Sequence, residues 1–316
     1  MAHDSKPKPL FLSVIVPVFN EAEGLVSFNR ALLNSLDGKG WHYEVIYVDD
    51  GSTDGSADVI KKIARDHASV KPIYLSRNFG KEQATTAGLH AAKGDAAIML
   101  DADGQHPIEL IPEFVKRWEH GAQVVIGVRV ANQKEGFVKR AGSKSFYRTL
   151  KVLGAPGIVP GSTDFRLVDK QVLAAFRQLT EHNRITRALI DWVGFDREYI
   201  SFVANPREHG KATYSNKKLL KLAINSFVSL SFAPLYLSGY LGIVITLLSF
   251  VTGVFAIMEK YAFGDPFGLN ITGTAILGLM ILFLVGILLI GQGLLAVYVA
   301  RIYTETQNRP LYVVKG

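Results

Sequence analysis

No charged side chain lies between Lys221 and Glu259, and none between Asp265 and Arg301. The hydrocarbon core of a bilayer takes about 20 apolar residues of helix, and each stretch exceeds that. The pattern predicts two membrane-spanning helices at residues 233–258 and 271–300, following a first part, to Lys221, that carries nearly all of the charge. The short connection holds Glu259, Lys260 and Asp265, net −1, whereas the outer flanks hold Lys217, Lys218, Lys221, Arg301, Arg309 and Lys315. Positive flanks stay on the cytoplasmic side, so both termini and the whole soluble part are expected there. Just before the first run, residues 214–232 put lysines on one side and Leu219, Leu220, Leu222, Ile224 and Phe227 on the other. This is the pattern of a helix lying in the membrane interface. The expected divisions are 1–213 a charge-bearing domain outside the bilayer, 214–232 interfacial, 233–301 membrane-spanning and 302–316 a cytoplasmic tail.

The formal charge of +7 raises two classes of partner, nucleic acid and an anionic membrane surface. The basic residues are spread along the chain without an arginine-rich tract, and three lysines crowd the first apolar run. That distribution favours the lipid bilayer and no nucleic acid. With no cysteine in the chain, disulfides, thiolate metal sites and cysteine nucleophiles are excluded. The early apolar run Leu10 to Phe19 is interrupted by Pro17 and has no small-residue cleavage pattern, so it reads as a first strand rather than a secretory signal.

Within the soluble part, short β-rich runs alternate with helical patterns. Phe11–Val18, Tyr43–Asp49, Lys71–Leu75, Ala96–Leu100 and Gln123–Val128 read as strands, with helices near 22–36, 54–67, 81–92 and 107–119. Such alternation implies an α/β fold, a mostly parallel sheet with helices on both faces. A basic helix is expected over Gly136–Val152, and a smaller α/β portion beyond it to about residue 204. Ligands of such sheets bind beyond the carboxyl ends of the strands. Polar residues gather at those ends: Asn20 and Glu21, Asp49 and Asp50, Arg77 and Asn78, Asp101 and Asp103, and Arg129.

Two of these clusters carry chemistry. Asp101-Ala102-Asp103 closes an apolar strand, and carboxylates at i and i+2 of a turn can converge on one hard cation, with Gln105 adding a carbonyl oxygen. A divalent cation bridging a diphosphate would neutralise charge on a departing nucleotide. A plain polar turn is the competing reading. The second cluster, Asp49-Asp50-Gly51-Ser52-Thr53-Asp54-Gly55, ends a strand in two acids. Asp54 is expected to cap the next helix, leaving Asp49 and Asp50 to accept hydrogen bonds from a nucleobase or ribose. No GxxxxGK[ST] and no strand-linked GxGxxG occurs, so carboxylates and a metal would hold the nucleotide.

Taken together, Val16-Pro17-Val18-Phe19-Asn20-Glu21, the DDGSTDG turn, Arg77-Asn78-Phe79-Gly80-Lys81 and DADGQHP resemble the family 2 glycosyltransferases of the GT-A fold. Further on, Ser162-Thr163-Asp164-Phe165-Arg166-Leu167, Asn183-Arg184, Trp192-Val193-Gly194, Arg207-Glu208-His209-Gly210 and Arg301-Ile302-Tyr303 to Asn308-Arg309-Pro310 are similar to the polyprenyl-phosphate glycosyltransferases. That group includes bactoprenol glucosyltransferases and, more distantly, dolichol-phosphate mannose synthases. The likeness spans residues 11–315.

The resemblance implies transfer of a hexose from a nucleotide sugar, glucose from UDP-glucose foremost, to undecaprenyl phosphate in a bacterial inner membrane. Pro17, Phe19, Glu21, Asp49, Asp50, Lys81, Asp101 and Ala102 would bind the donor. Asp101, Asp103 and Gln105 would hold Mg2+ or Mn2+. Arg129, Lys139, Arg140, Ser143, Arg207 and Lys211 would grip the acceptor phosphate, and Asp103, Asp164, Arg129 and Arg207 would carry catalysis. The resemblance also allows a homo-oligomer, and implies a flippase and a downstream glycosyltransferase as partners. Basic residues suit this chemistry on general grounds, because two phosphate-bearing substrates must approach each other.

The chain departs from the family where relatives read R-x-x-G-x-S-K-Y. It has Ala212-Thr213 in place of Ser-Lys, with Lys211 as the substitute cation. N-acetylglucosamine, an aminoarabinose derivative and mannose remain open as sugars. A processive polysaccharide synthase would carry Q-x-x-R-W, which is absent. A tethered binding module without catalysis is opposed by the intact Asp101, Asp103 and Arg129. His106 and His209 read as polar filling or as supports of the metal turn and the phosphate loop. A phosphate monoester is already anionic at neutral pH, so Asp164 is expected to orient Arg166 or another cation, or to contact the donor, rather than act as base.

Overall fold

The computed structural model of the chain describes residues 10–130, 161–205 and 272–315, with the single positions 159, 251 and 258. The expected basic helix over 136–152, the interfacial helix over 214–232 and nearly all of the first expected span lie outside the described residues.

Seven strands form one sheet. They are β1 (Phe11–Val18), β2 (His42–Asp49), β3 (Val70–Tyr74), β4 (Ala96–Met99), β5 (Val124–Arg129), β6 (Ser162–Asp169) and β7 (Arg197–Phe202). Their order is β3-β2-β1-β4-β6-β5-β7. β1 pairs parallel with β2 and β4, β2 with β3 and β5 with β7, while β6 runs antiparallel between β4 and β5. The helices are α1 (Ala22–Leu36), α2 (Ser56–Asp66), α3 (Lys81–Ala91), α4 (Ile111–Glu119, after a 3-10 turn at Ile108–Leu110), α5 (Lys170–Phe176), α6 (Thr186–Val193) and α7 (Gly273–Thr306). The five expected strands are all present, and β6 is the element that makes the sheet mixed.

The two-residue period of each strand explains why helices cover both faces. Leu12, Val14, Val16 and Val18 of β1 join one core with Val45 and Tyr47 of β2, beneath Leu25, Phe28 and Leu32 of α1 and Phe114 of α4. Ile15, Ile46, Val48, Ala97 and Met99 face the other way, onto Ala84, Ala87 and Leu89 of α3, Phe176 of α5 and Ile190 of α6. Strands buried on both faces read as continuous apolar runs, as IVPV and VIYV do here. Gly88 brings α3 close to the sheet: a Cβ there would collide with the Ile15 Cγ2 methyl.

Two compact units are distinguished. One comprises residues 1–151, 156–214 and 309–316; the other comprises 152–155 and 215–308. Inside the second, the expected span at 271–300 is part of α7, a helix of 34 residues. Arg301 ends the apolar run but not the helix, which continues to Thr306 and closes on Asn308 in the left-handed conformation (φ 49°) ahead of Pro310. An asparagine at that position followed by proline is a stop signal that charge patterning does not register. Among the described residues no helix is long and apolar enough to cross a membrane.

Candidate active site

The loops leaving β1, β2 and β3 are knitted together before any ligand is considered. Asn20 takes a left-handed backbone (φ 57°) just after β1. Its N–H donates to Ser52 Oγ at 3.0 Å, and its Oδ1 accepts from Thr53 N–H at 2.8 Å. Glu21 N–H donates to Ser56 Oγ at 2.9 Å, and Ala22 N–H donates to Asp54 Oδ2 at 3.1 Å. Asp54 also accepts from Ser56 N–H at 3.0 Å, so it serves the first turn of α2, although the capping position itself is Gly55 (φ 93°). The expected cap is therefore displaced by one residue. The left-handed turn at Gly55 frees Asp54 to bind both loops at once.

Asp50 is the buried anchor of this region. Its two oxygens accept from Phe79 N–H at 2.7 Å and Gly80 N–H at 2.9 Å. Burial raises its carboxyl above the ordinary carboxylate range, against the lowering by those two amides. Asp49 is buried as well and accepts from Ser52 N–H at 3.3 Å. Both acids expected at the nucleoside thus have carboxylates engaged with backbone amides. Gly51 (φ 68°) fits because its Cα faces the Arg77–Asn78 peptide. A Cβ there would lie 2.5 Å from the Arg77 carbonyl carbon.

Beyond β4 the acid turn meets β6 and the start of α3. Lys81, the first residue of α3, places its ammonium 2.6 Å from Asp101 Oδ1 and 2.7 Å from Asp164 Oδ2. Burial alone would lower the Lys81 ammonium, but the two carboxylates outweigh it and raise it. Burial alone would raise the Asp164 carboxyl; Lys81, with Arg187 and Arg166 behind it, outweighs burial and holds it below the usual range. Next to Lys81, Glu82 Oε2 accepts from Thr186 N–H at 2.7 Å, which supplies a partner to the first turn of α6. The cation that faces Asp164 is therefore chiefly Lys81. Arg166 is fully buried and pairs instead with Asp191 at 2.8 Å.

His106 pins the turn from below. Its Nδ1 accepts from Asp101 N–H at 3.1 Å, and its ring stacks on Phe165, centroids 5.2 Å apart, beside Asp164. Burial lowers His106, against the pull of Asp101. With Nδ1 accepting, the assigned proton sits on Nε2. Asp103 Oδ1 accepts from Gln105 N–H at 3.1 Å, and the Gln105 carbonyl accepts from Asn205 N–H at 3.1 Å. Glu21, Asp103, His106 and Asn205 line a cavity of about 110 Å³ between α1 and this turn. Phe19 and Arg129 are exposed, Pro17 is half-buried and Ala102 is buried. Lys139, Arg140, Ser143, Arg207 and Lys211 lie outside the described residues.

Among the described residues no group of three or more His, Asp and Glu side chains converges as a metal site. The donor set at the turn nevertheless suits a hard divalent cation, which binds through one or two carboxylates and completes its shell with water and substrate phosphate. The Lys81 ammonium already occupies the field of Asp101 and Asp164 as an internal cation. Sequence reading named Lys81 and Asp164 separately but carried no signal of their contact, since 83 residues separate them. Nor did it carry any signal for Asn205.

The family model "Glycosyl transferase family 2" matches residues 13–176. A bactoprenol glucosyl transferase derived from prophage SfII in Shigella flexneri is 35% identical over 304 residues, 96% of this chain and 97% of that protein. An uncharacterized glycosyltransferase of Synechocystis, sll0501, is 37% identical, covering 96% of this chain and 94% of that one. Among solved structures, glucosyl-3-phosphoglycerate synthase from Mycobacterium tuberculosis is similar at a TM-score of 0.49 and 17% identity, over 68% of this chain and 76% of that one.

Proposed function

The chain belongs to glycosyl transferase family 2, and on that premise we propose that it transfers a hexose from a nucleotide sugar to the phosphate of a polyprenyl lipid. The observation that carries the reading is the Asp101–Lys81–Asp164 cluster at the carboxyl end of the sheet, beside Asp103. It pairs an acid turn suited to a cation-bound diphosphate with a lysine able to screen phosphate charge. The polyprenyl acceptor, and glucose as the sugar, rest on the likeness over nearly the full length to bactoprenol glucosyl transferases.

In this reading Asp101 and Asp103 would hold Mg2+ or Mn2+, which would supply screening of the charge on the departing nucleotide. Lys81 fixes the Asp101 and Asp164 carboxylates in place before the donor arrives. Held below the usual range, the Asp164 carboxylate is a weak base. None is required, because a phosphate monoester has its second pKa near about 6 and attacks as an anion. What the site must supply is orientation and charge screening. Direct attack by the lipid phosphate inverts the anomeric carbon. The purified protein, given a prenyl phosphate and UDP-glucose, UDP-N-acetylglucosamine and GDP-mannose in turn, should use UDP-glucose best. The anomeric coupling of the product should report a β-linked phosphosugar from the α-linked donor. A retained α-linkage, or no transfer from any donor, overturns the proposal.

The same reading places the chain at a bacterial inner membrane with its catalytic part in the cytoplasm. Two charge-free runs support this, as does the row of exposed apolar side chains Leu277, Ile281, Leu284, Leu288 and Leu295 on α7. Water is a poor solvent for such a row, whereas lipid is not. A reporter inserted near Gly264 should face outward, with both termini inside. Cleavage of the Gly264 loop only by protease added on the cytoplasmic side would refute the topology.

A further inference from the structure

The segment after α7 returns to the sheet. β3 is an edge strand, and an edge exposes unpaired backbone groups. Here Val314 bridges antiparallel to Leu75, just beyond β3. Ser76 N–H donates to the Val313 carbonyl and Lys315 N–H to the Tyr74 carbonyl, each at 2.8 Å. On the opposite side of the same segment, Leu75 N–H donates to the Asp49 carbonyl at 2.9 Å. The next residues are the Arg77–Gly80 loop, whose last two amides bind Asp50, and then Lys81. Tyr312 of the tail also reaches the far end of α3: its hydroxyl lies 3.2 Å from His90 Nδ1, and the two rings are 6.0 Å apart.

From this arrangement we propose that residues 312–315 are a positioning clamp for the donor side of the active site. The clamp grips α3 at its lead-in and in its last turn. It thereby sets where the loop held by Asp50 sits and where Lys81 delivers its ammonium. Without it, the lead-in is held from the β2 side alone, and the edge groups of Tyr74 and Ser76 turn to water. The loop then samples other positions, and donor binding must pay to order it. The inference rests on the proposed donor chemistry for its functional half; its structural half is independent of that chemistry.

The test uses the full-length protein in detergent or lipid, a deletion of residues 311–316, and the pair Lys315→Pro and Lys315→Ala. Proline removes the N–H that serves Tyr74, while alanine keeps it. The deletion should speed amide exchange at Phe79 and Gly80 by about tenfold and leave the Val14 and Ile15 amides of β1 unchanged. It should raise the donor KM and the dissociation constant of UDP with Mn2+ by about tenfold, with the acceptor KM unmoved. Lys315→Pro should shift the same quantities in the same direction by about threefold, and Lys315→Ala should match the parent. Unchanged exchange at Phe79 and Gly80 overturns the clamp. Faster exchange with an unmoved donor KM overturns its role in donor binding, and so does equal behaviour of the proline and alanine variants. If the parent protein binds no UDP, the proposed function fails instead, and the exchange rates alone decide the clamp.

Discussion

Asp103→Ala should lower turnover by about 100- to 1000-fold, the range seen when one electrostatic stabiliser of a developing anion is removed. Asp103 is half-exposed, at the rim of the cavity beside Glu21 and His106, and its Oδ1 accepts a local turn bond from Gln105 N–H. The loss should therefore fall on chemistry rather than on folding. The thermal midpoint should stay close to that of the parent, while the Mn2+-dependent part of UDP binding disappears in calorimetry. Asp103→Asn preserves volume and the turn contact but not the charge, and should fall nearly as far. Chelation of the parent should reproduce the defect. Substantial transfer by Asp103→Ala, or by the parent in excess chelator, would remove the metal from the proposal.

Asp191→Leu should have the opposite signature, a large loss of stability at a residue outside the acid turn. Arg166 has no exposed side-chain surface, and its guanidinium is met by Asp191 Oδ1 at 2.8 Å and the carbonyls of Thr163 and Arg187. Among the described residues Asp191 is the carboxylate that pairs with Arg166, and removing it leaves the cation buried against the carbonyls of Thr163 and Arg187. Breaking one side of a buried pair costs about 3–5 kcal/mol, and a domain of this size loses about 2–4 °C of melting temperature per kcal/mol. The double variant Arg166→Met with Asp191→Leu should regain part of that loss, because an apolar pair of similar volume needs no compensating charge, while Arg197, 3.6 Å from Asp191 Oδ1, still loses its partner. Melting curves of the two single variants and the double complete the cycle. A single variant as stable as the parent, or a double no better than the single, would show that the pair is not what stabilises β6 against α6.

How far the sequence reached can be followed along individual residues. The alternating and continuous apolar runs located β1 to β5 and their helices to within a residue or two in most cases, because burial on both faces of a parallel sheet leaves a local imprint. The polar ends of those strands likewise marked where the site gathers, since loops leave a parallel sheet at one edge. The acid turn Asp101–Asp103 was legible for the same reason. Contacts between distant segments left no such imprint. Lys81 and Asp164 carry complementary charge, but so do dozens of other pairs, and only the antiparallel insertion of β6 beside β4 brings these two together. Asp49 and Asp50 read as ligand acids because a carboxylate at a strand end is equally suited to a ribose or to a backbone amide. Only the tertiary structure presents the Phe79 and Gly80 amides to Asp50. Arg166 read as a cation facing the site, and the fold turned it inward to Asp191. The tail shows the limit most plainly. Tyr312 to Lys315 has no periodicity long enough to announce a strand, and its conformation is set by an unpaired edge at Tyr74 to Ser76 that exists only once the sheet has formed. Local pattern determined which elements this protein has and which face each one buries. Long-range pairing, whose energy depends on partners far away in the chain, decided which polar groups brace the scaffold and which converge at the acid turn.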